Sequence, residues 1–120
     1  MTLVLLVDDD RDQLALRRMV FERSGFAVAT AMSPDEAVSV FTEKPAEVVL
    51  MDLRLPDLAG GRQLIRRIRE LSPSVRIVIL SGSPEDLLAT PELGLVDSCL
   101  RKPVRSEQVM RTVRNLARGA

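Results

Sequence analysis

Five short apolar runs alternate with stretches of helical spacing along the chain. The first run, LVLLV, is continuously apolar, as expected of a strand that is covered on both faces of a sheet. Strands are predicted over residues 3–7, 27–31, 47–52, 75–83 and 96–103. Helices are predicted over residues 11–26, 33–44, 62–72, 84–94 and 106–117.

Local signals set the ends of several of these helices. Gly25 is a stop signal for the first helix. Ser33 and Pro34 supply a cap and a first-turn proline for the second helix. Pro91 interrupts the fourth helix, which is therefore predicted to be short. Ser106 introduces the last helix.

The alternation of strands and helices favours an open, parallel, doubly wound sheet. In such a sheet, the ligand site lies outside the carboxyl ends of the strands, at the point where the strand order reverses. The polar residues at those ends are Asp8, Asp9 and Asp10 after the first strand, Asp52 after the third, Ser81 after the fourth and Lys102 after the fifth. The sequence therefore predicts that these side chains meet in one crevice.

The bulk composition is that of one globular domain. The 120 residues are 46% hydrophobic and carry 17 acidic and 17 basic side chains, so we expect a single domain over residues 1–120 with no output domain. The chain shows neither a membrane-spanning run nor a leader pattern at its N-terminus, which favours a cytoplasmic protein without membrane partners. The lone Cys99 excludes an internal disulfide.

Histidine is absent from the chain. Its absence excludes Ser-His-Asp and Cys-His catalysis, zinc sites built on imidazole, and a role as a histidine phosphocarrier. Trp and Tyr are also absent and only three Phe occur, which argues against stacking on nucleic-acid bases. The remaining chemistry must use carboxylates, hydroxyls, amines and backbone groups.

The carboxylates at the strand ends need a compensating cation. Two unit charges about 4 Å apart interact by roughly 4 kcal/mol at an effective dielectric constant near 20. Clustered carboxylates suit Mg²⁺, which takes one or two protein carboxylates and binds phosphate. Ser81 can donate a hydrogen bond to a phosphoryl oxygen, and Lys102 can place a charge on another. Asp52 is then free to act as the nucleophile that forms an acyl phosphate.

Four motifs, VDDD, LMDLRLPDLAG, LSGS and RKP, occur in this order across essentially the whole chain. The set resembles the receiver domain of two-component response regulators. The resemblance implies a flavodoxin-like, doubly wound α/β fold, with a five-stranded parallel sheet of order 2-1-3-4-5 and five helices. The roles that it implies are Asp8 and Asp9 as the acidic pair that binds Mg²⁺ (Asp8 through water), Asp52 as phosphoacceptor and metal ligand, Arg54 as metal ligand through its backbone carbonyl, and Ser81 and Lys102 as phosphoryl-binding residues.

The resemblance further implies what the domain does. A sensor histidine kinase or phosphotransfer protein would supply a phosphoryl group to Asp52 in a Mg²⁺-dependent reaction, and water would later hydrolyse the product. The domain would be a signalling module, not an enzyme on outside substrates, and it would change its surface toward a downstream effector or output domain. The family commonly has a cis lysine–proline bond, so Lys102–Pro103 is expected to be cis.

Departures from the family pattern keep other functions open. Receivers usually carry an aromatic residue three positions before the lysine, and here that residue is Cys99, so an atypical switch is expected. The shortened fourth helix lies in the same region. The alternative is a receiver-like scaffold that binds partners without phosphorylation. An aspartyl phosphatase of the haloacid dehalogenase type is disfavoured, because Arg54 replaces the second acid that it needs.

Other polar residues have local interpretations. Asp10 is favoured as the cap of the first helix over a third metal ligand. Asp57 is expected to stabilise the turn after Pro56, with Gly60 supplying backbone freedom. Arg54 and Ser83 occupy positions that flank the phosphate in the family and influence its lifetime.

Positive charge is concentrated near the C-terminus. Residues 101–120 contain six basic side chains and one acid, and Arg111, Arg114 and Arg118 share one face of the last helix. This face is either a docking or homodimer surface, which resembles the use that receivers make of the face of helix 4, strand 5 and helix 5, or a solvated face that complements the helix C-terminus. Direct nucleic-acid binding by this face alone is not expected, because no second recognition element exists.

Overall fold

Residues 1–118, which the computed structural model describes, form a five-stranded sheet with helices on both faces. The strands are β1 (Leu3–Val7), β2 (Ala27–Ala31), β3 (Val48–Asp52), β4 (Arg76–Ser81) and β5 (Ser98–Arg101). The α-helices are α1 (Arg11–Arg23), α2 (Pro34–Glu43), α3 (Leu58–Leu71), α4 (Glu85–Leu88) and α5 (Ser106–Ala117), and a 3-10 helix spans Pro91–Leu95. All neighbouring strands pair in parallel in the order β2-β1-β3-β4-β5, which confirms the predicted doubly wound α/β fold.

The sheet separates two hydrophobic cores. Successive residues of a strand face opposite sides of the sheet, so Leu5 and Val7 of β1 join the core that includes α2 and α3, whereas Val4 and Leu6 join the core that includes α1 and α5. Each fully buried Val or Leu side chain contributes about 1.5 to 3 kcal/mol relative to exposure. Because both faces are covered, the central strands hold the residues at their carboxyl ends in fixed positions.

Helix α3 begins at Leu58, whereas the sequence predicted a start at Arg62. The Gly-Gly pair suggested a loop there, but it lies inside the first turn of the helix. Asp57 caps this turn, because its side chain accepts a hydrogen bond from the N–H of Gly60 at 2.8 Å. The expected role of Asp57 in stabilising this turn is therefore a helix cap.

Close approach of the backbone explains the two glycines of α3. Neither Gly60 nor Gly61 has a positive φ, so the backbone freedom predicted for Gly60 is not what the structure uses. A Cβ on Gly60 would lie 2.0 Å from the carbonyl oxygen of Leu55, and one on Gly61 would lie 1.5 Å from that of Leu53. Glycine is therefore required for α3 to pack against the loop that leaves β3.

The β4–β5 segment (residues 82–97) contains little regular helix. Helix α4 has four residues and ends at Leu88, and Pro91 opens the 3-10 helix that follows. The prediction that Pro91 shortens the fourth helix is confirmed. Within the described residues, no helix combines the length and the apolar character needed to cross a bilayer.

Candidate functional site

The carboxyl ends of β1, β3, β4 and β5 surround one cleft of about 830 Å³. Parallel pairing places Asp52, the last residue of β3, beside Leu80 of β4, one position before Ser81. The N–H of Lys102 donates to the carbonyl oxygen of Ser81 at 2.8 Å, which ties the end of β5 to the end of β4. The cleft brings together all the predicted site residues, which are Asp8, Asp9, Asp10, Asp52, Arg54, Ser81 and Lys102.

Three of these residues form an acidic cluster. Asp8, Asp9 and Asp52 each place a carboxylate oxygen within 4.8 Å of those of the other two. Asp8 and Asp52 are 2% and 8% exposed, whereas Asp9 is exposed to solvent. Charges at such separations repel by roughly 3 to 4 kcal/mol per pair at an effective dielectric constant near 20. The cluster therefore needs cations close to it.

Asp8 is a buried acid whose surroundings shift its pKa. Burial raises the pKa of Asp8 above its ordinary value, and the neighbouring Asp52 raises it further. Two partners oppose this rise in pKa: the N–H of Asp10 donates to Oδ1 of Asp8 at 2.9 Å, and the Arg17 guanidinium lies 3.4 Å from Oδ2. Each oxygen of Asp8 is thus already engaged.

Asp52 has an ion-pair partner, but one of its carboxylate oxygens accepts no regular hydrogen bond within residues 1–118. The Lys102 Nζ lies 2.8 Å from Oδ1 of Asp52. This oxygen is buried, and no donor in residues 1–118 meets it with the angle of a hydrogen bond, so the ammonium balances its charge without satisfying its lone pairs. A buried open acceptor beside two further carboxylates is a hard-oxygen donor set that fits Mg²⁺.

Ser81 lines the same cleft as Asp52, with its hydroxyl proton available. Its Oγ accepts a hydrogen bond from the N–H of Ser83 at 3.0 Å. The side chain is buried, and a hydroxyl that accepts one bond can still donate another. Ser81 is therefore equipped to donate a hydrogen bond to an anionic oxygen in the cleft.

Two other predicted residues lie at the edge of the cleft. Asp10 caps α1, because its side chain accepts from the N–H groups of Asp12 and Gln13 at 3.0 and 3.1 Å. This contact confirms the capping interpretation. The Arg54 guanidinium pairs with Asp86 of α4 at 2.6 Å and so joins the β3–α3 loop to the β4–β5 segment.

Sequence reasoning missed the arginine that lies against Asp8. Arg17 lines the cleft together with Gln13 and Asp10. The available signal was helical spacing, because residues three, four and seven positions apart share one face of α1. That face points toward the strand ends, but the sequence does not say which strand end lies opposite.

Cys99 and the basic face of α5 are partly committed to packing. Cys99 is half-buried against the core, and burial raises the pKa of its thiol. Arg114 stacks over the Phe26 ring at 5.3 Å and donates to the carbonyl oxygen of Ser24. One of the three arginines predicted for docking therefore makes intramolecular contacts. The Lys102–Pro103 bond is cis as expected.

Comparisons with known proteins point to one family. Residues 4–114 match the response regulator receiver domain. The hydrogenase transcriptional regulatory protein HoxA of Cupriavidus necator is 35% identical over 114 residues, which cover 92% of this chain and 23% of HoxA.

Solved structures agree on the fold. A response regulator receiver domain protein from Clostridium thermocellum is 26% identical and has a TM-score of 0.89, covering 98% of this chain and 95% of that one. The response regulator TrrA of Thermotoga maritima, solved in complex with Mg²⁺-BeF, is 21% identical with a TM-score of 0.86, covering 97% of this chain and 99% of TrrA. At that identity, the TrrA likeness shows the fold alone.

The family match and the cleft lead to the same assignment. The match extends over nearly the whole chain, although the chain spans only 23% of HoxA. Receiver domains bind Mg²⁺ at an acidic pocket, and the cluster of Asp8, Asp9 and Asp52 has the oxygen donors for it. The chain belongs to the response regulator receiver domains, the signalling modules of two-component systems.

Proposed function

We propose that this domain accepts a phosphoryl group on Asp52 from a phosphohistidine of a sensor kinase or phosphotransfer protein. The observation that carries the proposal is the setting of Asp52, whose buried Oδ1 lies 2.8 Å from the Lys102 ammonium and has no other donor partner within residues 1–118. A carboxylate in a structural role would have its lone pairs satisfied. A nucleophile needs a free one.

The transfer uses the groups around Asp52. One Asp52 carboxylate oxygen attacks the phosphorus in line, the P–N bond to the donor imidazole breaks, and the departing nitrogen keeps the electron pair. The Lys102 ammonium and the Ser81 hydroxyl bind phosphoryl oxygens. Mg²⁺, when bound, neutralises charge on those oxygens.

We propose three groups as direct metal ligands: the carboxylates of Asp9 and Asp52 and the backbone carbonyl of Arg54. Asp9 supplies the exposed carboxylate of the cluster. Asp8 is proposed to act through water, and the N–H of Asp10 and the Arg17 guanidinium each already engage one of its oxygens. This division leaves two direct carboxylates, which is within the one or two that Mg²⁺ ordinarily takes.

Phosphorylation is proposed to change the surface that the domain offers to a downstream effector or output domain. HoxA is named a transcriptional regulatory protein, and this chain spans 23% of its length, which supports an output partner outside the receiver fold. The face formed by α4, β5 and α5 is the proposed homodimer or docking surface. Cys99 stands where receivers usually carry an aromatic residue, so the switch is proposed to be atypical.

Labelling with acetyl phosphate and Mg²⁺, read by intact-protein mass spectrometry, tests the proposal. The wild-type protein should gain one phosphoryl group, and Asp52→Asn should gain none. Asp12→Asn, which removes an exposed carboxylate from the first turn of α1, is the matched control and should label fully. Undiminished labelling of Asp52→Asn would move the acceptor to another residue.

A constitutive scaffold is the second candidate function. Two observations favour it, the Cys99 position and the four-residue α4. The same experiment separates the two functions, with beryllofluoride and Mg²⁺ as a second probe. A folded wild-type protein that neither labels nor changes its NMR spectrum with this probe would support the scaffold.

A further inference from the structure

A cation that the proposed transfer does not use lies inside the acidic cleft. Arg17 of α1 places NH1 3.4 Å from Oδ2 of Asp8, and its side chain is only 15% exposed. Arginine on a solvated helix face is usually far more exposed. The burial of Arg17 against a carboxylate of the cluster therefore calls for a role.

The cluster has one internal cation on each flank. Lys102 balances Asp52 at 2.8 Å, and Arg17 balances Asp8 at 3.4 Å. Asp9 has no ion-pair partner within residues 1–118, and it is the exposed member of the cluster. A divalent cation that binds at Asp9 and Asp52 therefore arrives close to a guanidinium that already neutralises part of the negative charge.

We propose that Arg17 is a positioning residue that sets the Mg²⁺ affinity of the cleft by competing with the metal for Asp8. The inference rests on the proposed function only through the metal site. Arg17 lies against Oδ2 of Asp8 while the N–H of Asp10 donates to Oδ1, so one lone pair on each oxygen is already engaged before a metal ion arrives. The guanidinium also repels the incoming ion.

The geometry predicts the direction in which Mg²⁺ affinity changes when Arg17 is replaced. The contact between Arg17 and Asp8 is longer, at 3.4 Å, than an ordinary N–H···O hydrogen bond, which makes it the weaker of the two Asp8 contacts. Removing the charge of Arg17 frees Oδ2 and removes a repulsion, and both effects tighten metal binding. A purely structural arginine would lower stability when replaced and leave the metal affinity unchanged.

Calorimetric titration with MgCl2 at fixed ionic strength tests the proposal. Arg17→Gln should bind Mg²⁺ about tenfold more tightly than the wild type, since one positive charge is removed from the side of the acidic cluster that would hold the ion. Arg18→Gln is the matched control, because it makes the same charge change one position along α1 at a half-exposed residue paired with Glu22. Its affinity should stay within about twofold of the wild type.

Two further variants keep the test decisive. Arg17→Lys retains the charge and should remain close to wild-type affinity. Arg17→Met keeps most of the packing volume without the charge, so it provides the same measurement if Arg17→Gln does not fold. Unchanged or weaker Mg²⁺ binding by a folded, uncharged variant would overturn the proposal.

The outcome is separable from that of the proposed function. If the wild type binds Mg²⁺ and the uncharged Arg17 variants bind it equally, only the role of Arg17 is overturned. If the wild type binds no Mg²⁺, both this role and the proposed metal site are overturned. If Asp52→Asn still accepts a phosphoryl group while Arg17→Gln binds Mg²⁺ more tightly, only the proposed acceptor is overturned.

Discussion

The cleft and the β4–β5 segment are built in different ways. The cleft consists of residues at the ends of buried strands, and every residue of β3 up to Asp52 is buried. The β4–β5 segment consists of a four-residue α-helix and a 3-10 helix, and its acids pair with arginines of other elements. Glu85 pairs with Arg101 of β5, Asp86 with Arg54 of the β3–α3 loop, and Glu92 with Arg62 and Arg66 of α3.

The two ends of the β4–β5 segment are held with unequal strength. Glu92 of the 3-10 helix is 3% exposed and contacts two guanidinium groups of α3. The pairs of α4 are exposed, and exposed ion pairs are worth only about 0.2 to 1 kcal/mol each. The comparison teaches that the residues of the cleft stand on buried strand ends, whereas the ion pairs of α4 add little to the attachment of that helix, which depends mainly on the buried Leu87.

Replacing Asp9 gives the largest effect expected on the cleft side. Asp9→Asn should weaken Mg²⁺ binding about a hundredfold, because the ligand that we propose to contact the ion directly loses its charge. Calorimetric titration measures the affinity, and Asp12→Asn should leave it within about twofold. An unchanged titration for Asp9→Asn would show that Asp9 does not bind the metal. It would contradict the assignment of the metal site to the strand ends of the cleft.

Replacing Glu92 tests whether the 3-10 helix is the firm end of the segment. Glu92→Gln should lower the free energy of unfolding by about 2 kcal/mol, because two charged hydrogen bonds at a buried site are weakened. Urea denaturation measures the change. Glu22→Gln, which breaks the half-exposed pair with Arg18, should cost less than about 0.5 kcal/mol.

The pH dependence of the same variant has a defined direction. The hydrogen bond from Arg62 holds the pKa of Glu92 below its ordinary value, with a further contribution from Arg66. A lowered pKa contributes stability that is present above the pKa of the unfolded chain and lost as the pH falls through the folded value. The stability gap between wild type and Glu92→Gln should therefore be full at pH 7 and shrink below about pH 4. A gap that stays constant down to pH 2 would contradict the lowered pKa.

The difference between the cleft and the β4–β5 segment also explains which features the sequence could predict. The positions of Asp52, Ser81 and Lys102 follow from strand ends, because the carboxyl ends of parallel strands meet at one edge. The start of α3 was missed, since Gly60 and Gly61 are used for close approach to the loop after β3, and that approach exists only in three dimensions. Local sequence patterns cannot predict a contact when the contacting residue belongs to another helix, strand or loop.

Ion pairs over long sequence separations were out of reach for this reason. Arg17 meets Asp8 only because α1 folds back over the end of β1. Glu92 meets Arg62 only because the 3-10 helix packs on α3. Nothing in the residues around Glu92 distinguishes it from a solvated acid until the fold is formed.

Cys99 of β5, which directly follows the β4–β5 segment, can be used as a chemical probe of packing. Burial raises the pKa of its thiol, so less thiolate is present at neutral pH than in the unfolded chain. Alkylation by iodoacetamide at pH 7.5 should be about tenfold slower in the native protein than in urea, and the native rate should keep rising above the ordinary thiol pKa. Because Cys99 is the only cysteine of the chain, intact mass gives the rate directly. Equal native and unfolded rates would contradict its packed state.

The smallest effect, and the sharpest test of the comparison, concerns the pair that joins the two regions. Arg54 and Asp86 meet at 2.6 Å with side chains 60% and 30% exposed, so their pair falls in the weak class. Asp86→Asn should raise amide hydrogen exchange in α4 about threefold, read at Leu87, whose N–H donates to the carbonyl oxygen of Pro84. Exchange in the 3-10 helix should not change, because Glu92 remains paired.

A matched variant separates a local attachment from a general loss of surface charge. Asp35→Asn breaks the exposed pair with Arg67 between α2 and α3 at 2.9 Å and should leave exchange in α4 unchanged. If Asp86→Asn leaves α4 as protected as before, the pair does not attach α4 to the cleft. If exchange rises equally in the 3-10 helix, the β4–β5 segment moves as one unit. The ion pairs of Glu92 would then not hold the 3-10 helix more firmly than α4 is held.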